Sequence, residues 1–122
     1  MTTREVLVKA REMMAKPGGW THGTLQYNDS VCAIGAISMA AVGEAVYVTH
    51  HEGKGHRAFV AAVRAVGSVL PAPSPYDKGR TILELGRTIL ELQDRVVGYN
   101  DSQEGPDCVL AAFDAAIAKL DE

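Results

Sequence analysis

The residues with the clearest chemical potential are Cys32 and His22, a thiol and an imidazole. Cys32 follows Asn28-Asp29-Ser30, a cluster of helix N-cap residue types, so we expect it in the first turn of a helix. The positive end of a helix dipole lowers the pKa of a thiol placed there. His22 could be its base, with Asp29 or Asn100 orienting the imidazole, as in a cysteine-dependent hydrolase or transferase.

The alternative for Cys32 is a structural role. Its neighbours Val31, Ala33 and Ile34 are all apolar, and a free cysteine among apolar residues behaves as a small buried hydrophobe. These neighbours favour the structural role, so the cysteine-dependent enzyme is the alternative hypothesis and not the leading one.

Three of the four histidines lie in one glycine-rich segment, His50-His51-Glu52-Gly53-Lys54-Gly55-His56. Their spacing matches no standard zinc motif, and no cysteine lies nearby. We therefore expect a solvated loop without metal, and nothing else in the sequence indicates a cofactor. The histidines would make the charge of this loop sensitive to pH.

Two polar segments contain candidate binding residues. The first carries Trp20, Thr21 and His22 between glycines, and the second carries Asn100 and Asp101. A lone tryptophan beside glycines could anchor a partner protein, or it could close one end of the fold with its N–H paired to the chain. We expect the two segments to interlock as a latch around a buried helix, because buried backbone groups need polar partners.

An internal repeat of seven residues begins at Arg80 and again at Arg87. Seven is the coiled-coil period, and it predicts one amphipathic helix from about residue 78 to residue 97. Leu83 and Leu90 widen its apolar stripe. This helix could pair with its copy in a homodimer, flanked by Glu84 and the other charged residues of the repeat, or it could pack within its own domain.

The remaining pattern predicts a compact all-α bundle of about five helices with little or no strand. Thr2 and Glu5 have capping-box spacing at the start of the first helix. The second helix, from about residue 31 to residue 48, carries no charge before Glu44 and is expected to be central and buried. Two further apolar stripes, at residues 59–70 and 109–120, predict a third and a last helix.

Composition sets the broad class of the protein. A chain of 122 residues with 47% hydrophobic residues is typical of one folded domain, here residues 1–122. The net charge of −3 does not provide the basic surface of a nucleic-acid-binding protein, which makes DNA binding the weakest hypothesis. No signal peptide and no apolar run of membrane-spanning length is found, so a cytoplasmic protein is expected.

Three landmarks resemble an uncharacterised family of small domains of unknown function from actinobacteria and their phages. They are the Gly19-Trp20-Thr21-His22-Gly23 segment, the Cys32-to-Ala36 stretch and Tyr99-Asn100-Asp101 before the last helix. Their order and spacing cover nearly the whole chain. In this family glutamine is common at the position of His22 and tryptophan at that of Tyr99. The resemblance implies a phage or actinobacterial origin and no established activity.

These observations favour a non-enzymatic interaction protein, related to phages, that binds a host or phage protein. The binding surface is expected to be either a helical face that includes Leu83 and Leu90 or the loop around Trp20. A homodimer is possible. The non-enzymatic interpretation is preferred because no complete catalytic, metal or nucleotide motif is found in the sequence.

Overall fold

The computed structural model describes residues 2–47, 55–71, 79–85 and 88–120. Within them the chain forms six helices and one two-stranded hairpin, in the order α1 (Thr3–Ala15), β1 (Gln26–Tyr27), β2 (Ser30–Val31), α2 (Ala33–Val42), α3 (His56–Gly67), α4 (Ile82–Leu85), α5 (Ile89–Asp101) and α6 (Asp107–Leu120). The predicted mainly helical fold is confirmed. No helix among the described residues is long and apolar enough to cross a membrane.

Helix α1 begins as the sequence predicts. The hydroxyl of Thr2 accepts a hydrogen bond from the Glu5 backbone N–H at 3.1 Å, and the Glu5 carboxylate accepts one from the Thr2 N–H at 3.0 Å. The two bonds satisfy backbone donors that a helix start leaves without partners. The helix then buries its apolar stripe, which includes Leu7 and Met14.

Helix α2 is the central helix, as expected, and it is shorter than predicted. All residues from Ala33 to Ser38 are buried, and α1, α3 and α5 pack against it. The predicted start at residue 31 is wrong, because Val31 lies in β2 and Cys32 is the N-cap. The predicted end near residue 48 is also wrong, because Gly43 adopts a left-handed conformation with φ 91° and terminates the helix.

The prediction of one continuous helix over residues 78–97 is wrong. The structure has two helices there, α4 and α5, and each begins at a Thr-Ile-Leu-Glu sequence. Thr81 accepts from the Glu84 N–H at 3.3 Å, and Thr88 accepts from the Glu91 N–H at 3.1 Å. The seven-residue repeat is therefore a helix start that occurs twice, since threonine followed three residues later by glutamate is a capping sequence.

The end of α5 also differs from the sequence-based expectation. The sequence predicts a helix end near residue 97, but α5 continues to Asp101, so Asn100 and Asp101 of the second polar segment lie in its last helical turn. The apolar stripe of α6 is confirmed at Val109, Phe113 and Ala116, which are buried, whereas Leu120 at its end is 43% exposed. Helix α6 packs mainly against α1 and α3.

Candidate functional site

The buried side chain of Asn100 joins three segments of the chain. Its Oδ1 atom accepts from the indole N–H of Trp20 at 2.8 Å and from the backbone N–H of Ala33 at 3.0 Å. Its Nδ2 atom donates to the carbonyl of Thr21 at 3.1 Å and to Oδ1 of Asp101 at 3.2 Å. These four bonds use the full hydrogen-bonding capacity of one amide side chain.

Asp101 extends the connection made by Asn100. Its Oδ1 atom also accepts from the backbone N–H of Gly23 at 2.8 Å. Trp20, Asn100 and Asp101 therefore fix the segment before the hairpin against the end of α5, and we call these three residues the latch. The expected interlocking of the two polar segments is present, although one of them is helical.

The segment at residues 19–31, here called the hairpin loop, is also tied to itself. The N–H of Val31 donates to the Gly19 carbonyl at 2.8 Å, and the N–H of Thr21 donates to the Val31 carbonyl at 3.1 Å. These bonds place Trp20 beside β2 in a parallel bridge. The N–H of Cys32 donates to the Leu25 carbonyl at 3.1 Å, which closes the base of the loop on the start of α2.

Gly35 permits this close approach of the hairpin loop to α2. A Cβ atom added to Gly35 would lie 2.0 Å from the carbonyl oxygen of Leu25, far inside van der Waals contact. The absence of a side chain at this position is therefore a packing requirement of the loop.

The tip of the hairpin loop projects into solvent. Tyr27 pairs with Ser30 across a two-residue turn of Asn28 and Asp29, and Asn28 has φ 54°, a conformation that asparagine tolerates. The Tyr27 side chain is 67% exposed, more than any other large hydrophobic side chain in the described part of the chain. Tyr27 was not predicted as a binding residue, because the loop sequence does not show whether a tyrosine in it is exposed or packed.

A cavity of about 490 Å³ lies beside the hairpin loop, between it and the end of α1. Met13, Val31 and Met39 supply apolar lining, while Lys16 and Asp29 supply opposite charges. Methionine side chains adapt their shape readily and are frequent at surfaces that accept partner side chains. The tip of the loop and this cavity form one continuous candidate surface, since Asp29 belongs to both.

The structure does not bring the residues of the proposed cysteine site together. Cys32 is 0% exposed, and its Sγ atom accepts from the Gly35 N–H at 3.4 Å, so the thiol caps α2. Burial raises the pKa of the Cys32 thiol, and the N–H groups at the helix start offset only part of that effect, contrary to the expected lowering. Among the described residues no hydrogen bond links Cys32 to His22 or Asp29.

The other three members of the proposed cysteine site lie elsewhere, His22 and Asp29 in the hairpin loop and Asn100 in α5. His22 is exposed, and its ring centroid lies 5.5 Å from the ring of Trp20 with the two planes tilted by 41°. Asp29 occupies the hairpin turn and Asn100 is committed to the latch. The four side chains therefore do not converge on one catalytic site.

The histidine segment is only partly described. His50, His51 and Glu52 lie outside the described residues. His56 is the first residue of α3 and is buried, so its placement in a solvated loop was wrong. In the described ranges no group of three or more His, Cys, Asp or Glu side chains is placed to hold a metal ion.

Leu83 and Leu90 do not form one stripe, because they lie on different helices. Leu83 is half-buried and packs against the core from α4, whereas Leu90, near the start of α5, is 45% exposed. The other large apolar residues, Ile82 of α4 and Leu92 and Val96 of α5, are buried within the domain itself. Of the two leucines of the predicted helical binding face, Leu90 alone is exposed.

Comparison with known proteins identifies the family of the chain. Residues 1–119 match a family of unknown function, DUF6197, and the chain belongs to that family. No curated protein matches the chain. No solved structure matches it either.

Proposed function

We propose that this chain is a small, cytoplasmic, phage-related interaction protein that binds a host or phage protein through its hairpin loop. The observation that carries the proposal is Tyr27, a 67% exposed tyrosine at the tip of a tied loop. Tyrosine is enriched among the residues that dominate protein–protein binding. A partner that covers the ring would remove a large apolar surface from water.

The latch supports the proposal by restricting the loop before any partner binds. Trp20 and Gly23 are both hydrogen-bonded to the end of α5, and Val31 is paired with Gly19. A surface ordered in advance loses less conformational entropy on association, so more of the contact energy appears as affinity. The neighbouring cavity would accept one side chain of the partner.

The other predicted surface is less well supported. Leu90 is the exposed residue that remains of the predicted helical face, since Leu83 packs on the core. Self-association through this face stays a prediction. The phage relationship is supported by the resemblance of the landmarks, and a survey of genes neighbouring the family members would test it.

Site-specific photo-crosslinking tests the proposed surface. A photoreactive phenylalanine analogue is placed at Tyr27, at Tyr47 or at Leu90, and the protein is irradiated in cells of its natural host. We expect one protein to be crosslinked from position 27 and not from the other two positions. The same purified protein must then bind the unmodified chain, and crosslinking from Leu90 alone would contradict the proposal in favour of the helical face.

A further inference from the structure

A second cavity, of about 440 Å³, lies between the end of α3, α4 and the last turns of α5. Pro71, Ile82 and Tyr99 contribute apolar lining, and Arg95, Ser102 and Gln103 contribute polar side chains. Its volume is within the range of about 300–1,000 Å³ that is usual for small-molecule sites. The cavity shares no residue with the hairpin loop.

The guanidinium group of Arg95 is incompletely paired. Its Nη2 atom donates to Oε1 of Glu91 at 3.1 Å, whereas its Nε atom is buried and has no hydrogen-bond partner among the described residues. The side chain as a whole is 33% exposed and lines the cavity. A guanidinium carries five N–H donors. The buried Nε–H is closed to the cavity and one Nη2–H is bonded to Glu91, so the remaining Nη N–H groups are the donors that a ligand oxygen can reach.

The other polar side chains at the cavity are already occupied. Ser102 Oγ donates to the Tyr99 carbonyl at 2.7 Å, and Gln103 Nε2 donates to the same carbonyl at 3.2 Å and to Ser102 Oγ at 2.9 Å. This internal pairing holds both side chains in place. Arg95 is therefore the main donor that the cavity offers to a ligand.

Gly98 keeps the cavity open on the surface of α5. A Cβ atom added there would have no atom within 4 Å, so no close packing requires glycine at this helical position. Glycine within a helix costs about 1 kcal/mol relative to alanine. The space that its missing side chain leaves adjoins Arg95 and Tyr99 in the cavity lining.

We propose that this cavity binds a small, mainly apolar molecule that carries one carboxylate or carbonyl oxygen. The oxygen accepts hydrogen bonds from the Arg95 guanidinium, and the apolar body packs against Ile82, Pro71 and Tyr99. This site goes beyond protein binding by the hairpin loop and does not depend on it.

Nuclear magnetic resonance of the ¹⁵N-labelled chain tests the site, with phenylacetate, phenylacetamide and ethylbenzene as probes. We expect saturable shifts of the Gly98 and Ser102 amides and of the Arg95 Nε–Hε signal, with a Kd below about 1 mM for the better oxygen-bearing probe. Ethylbenzene, which has no acceptor oxygen, should bind at least about tenfold more weakly. Phenylacetate and phenylacetamide distinguish a carboxylate ligand from a neutral carbonyl ligand.

Three variants locate the binding. Gly98→Leu fills the cavity and should abolish the shifts, and Arg95→Gln should weaken binding about tenfold. Arg64→Gln, at an exposed position of α3 away from the cavity, should change nothing. If Gly98→Leu does not fold, Arg95→Gln decides the outcome alone. Absence of saturable binding by all three probes, or unchanged affinity in folded Arg95→Gln, would overturn the proposal.

Discussion

The indole N–H of Trp20 donates to Oδ1 of Asn100 at 2.8 Å, although 80 positions separate the two residues in the chain. The same oxygen accepts from the first residue of α2, Ala33. One side-chain amide thereby joins the hairpin loop, the central helix and the end of α5.

Asn100→Ala should destabilise the protein by about 3 kcal/mol, because it leaves the Ala33 N–H and the Thr21 carbonyl without their partner. Urea denaturation measures the change in the free energy of unfolding. Gln103→Ala is the control, since its bonds reach only neighbouring residues of the same turn, and it should cost about 1 kcal/mol or less. A loss below about 1 kcal/mol for Asn100→Ala would contradict the role of the latch.

Gly35→Ala and Gly98→Ala form a matched pair with opposite expected signs. The added methyl group at Gly35 would meet the Leu25 carbonyl at 2.0 Å and should cost about 2–4 kcal/mol. At Gly98 it meets nothing and should stabilise α5 by up to about 1 kcal/mol. Thermal and urea unfolding of both variants check the pair, and equal effects would disprove the close approach at Gly35.

Thr88→Ala tests the division of the repeat into two helices. Thr88 is the N-cap of α5, so its removal should cost about 1 kcal/mol. Within a continuous helix the same change would stabilise the chain by about 0.5 kcal/mol, because alanine is the better helix former. Thr88→Ser keeps the cap and should be nearly neutral, and a gain in stability for Thr88→Ala would restore the continuous helix.

Alkylation with iodoacetamide should distinguish the two free cysteines. Cys108 is exposed, whereas Cys32 is buried and burial raises the pKa of its thiol. Near neutral pH we expect one carboxamidomethyl group, on Cys108, in the folded protein and two after unfolding. Mass spectrometry of peptides measures both. Rapid modification of Cys32 in the folded protein would revive the cysteine-dependent enzyme.

Local sequence signals predicted the fold well where one element carried its own information. The capping box of Thr2 and Glu5 and the apolar stripes of α3 and α6 are properties of neighbouring residues, and the structure has them except at the exposed Leu120. The seven-residue repeat failed because helical periodicity continues through a helix start. The Thr-Ile-Leu-Glu cap within it was the signal that would have separated α4 from α5.

The candidate site depended on contacts that the sequence does not encode locally. Asn28 to Ser30 has the composition of a helix cap, yet it forms a hairpin turn because Val31 pairs with both Gln26 and Trp20. Likewise, the central role of Asn100 arises from the approach of distant segments. The expectation of a latch came from the need to satisfy buried polar groups, and that argument does not specify the partners.

The affinity of the crosslinked partner for single-residue variants tests the central claim most directly. Isothermal titration calorimetry compares the unmodified chain with Tyr27→Ala and with Tyr47→Ala, a matched change at a tyrosine 38% exposed and outside the hairpin loop. If the hairpin loop binds the partner, Tyr27→Ala raises the Kd at least about tenfold and Tyr47→Ala leaves it within about twofold. An unchanged Kd for Tyr27→Ala would contradict binding through the hairpin loop.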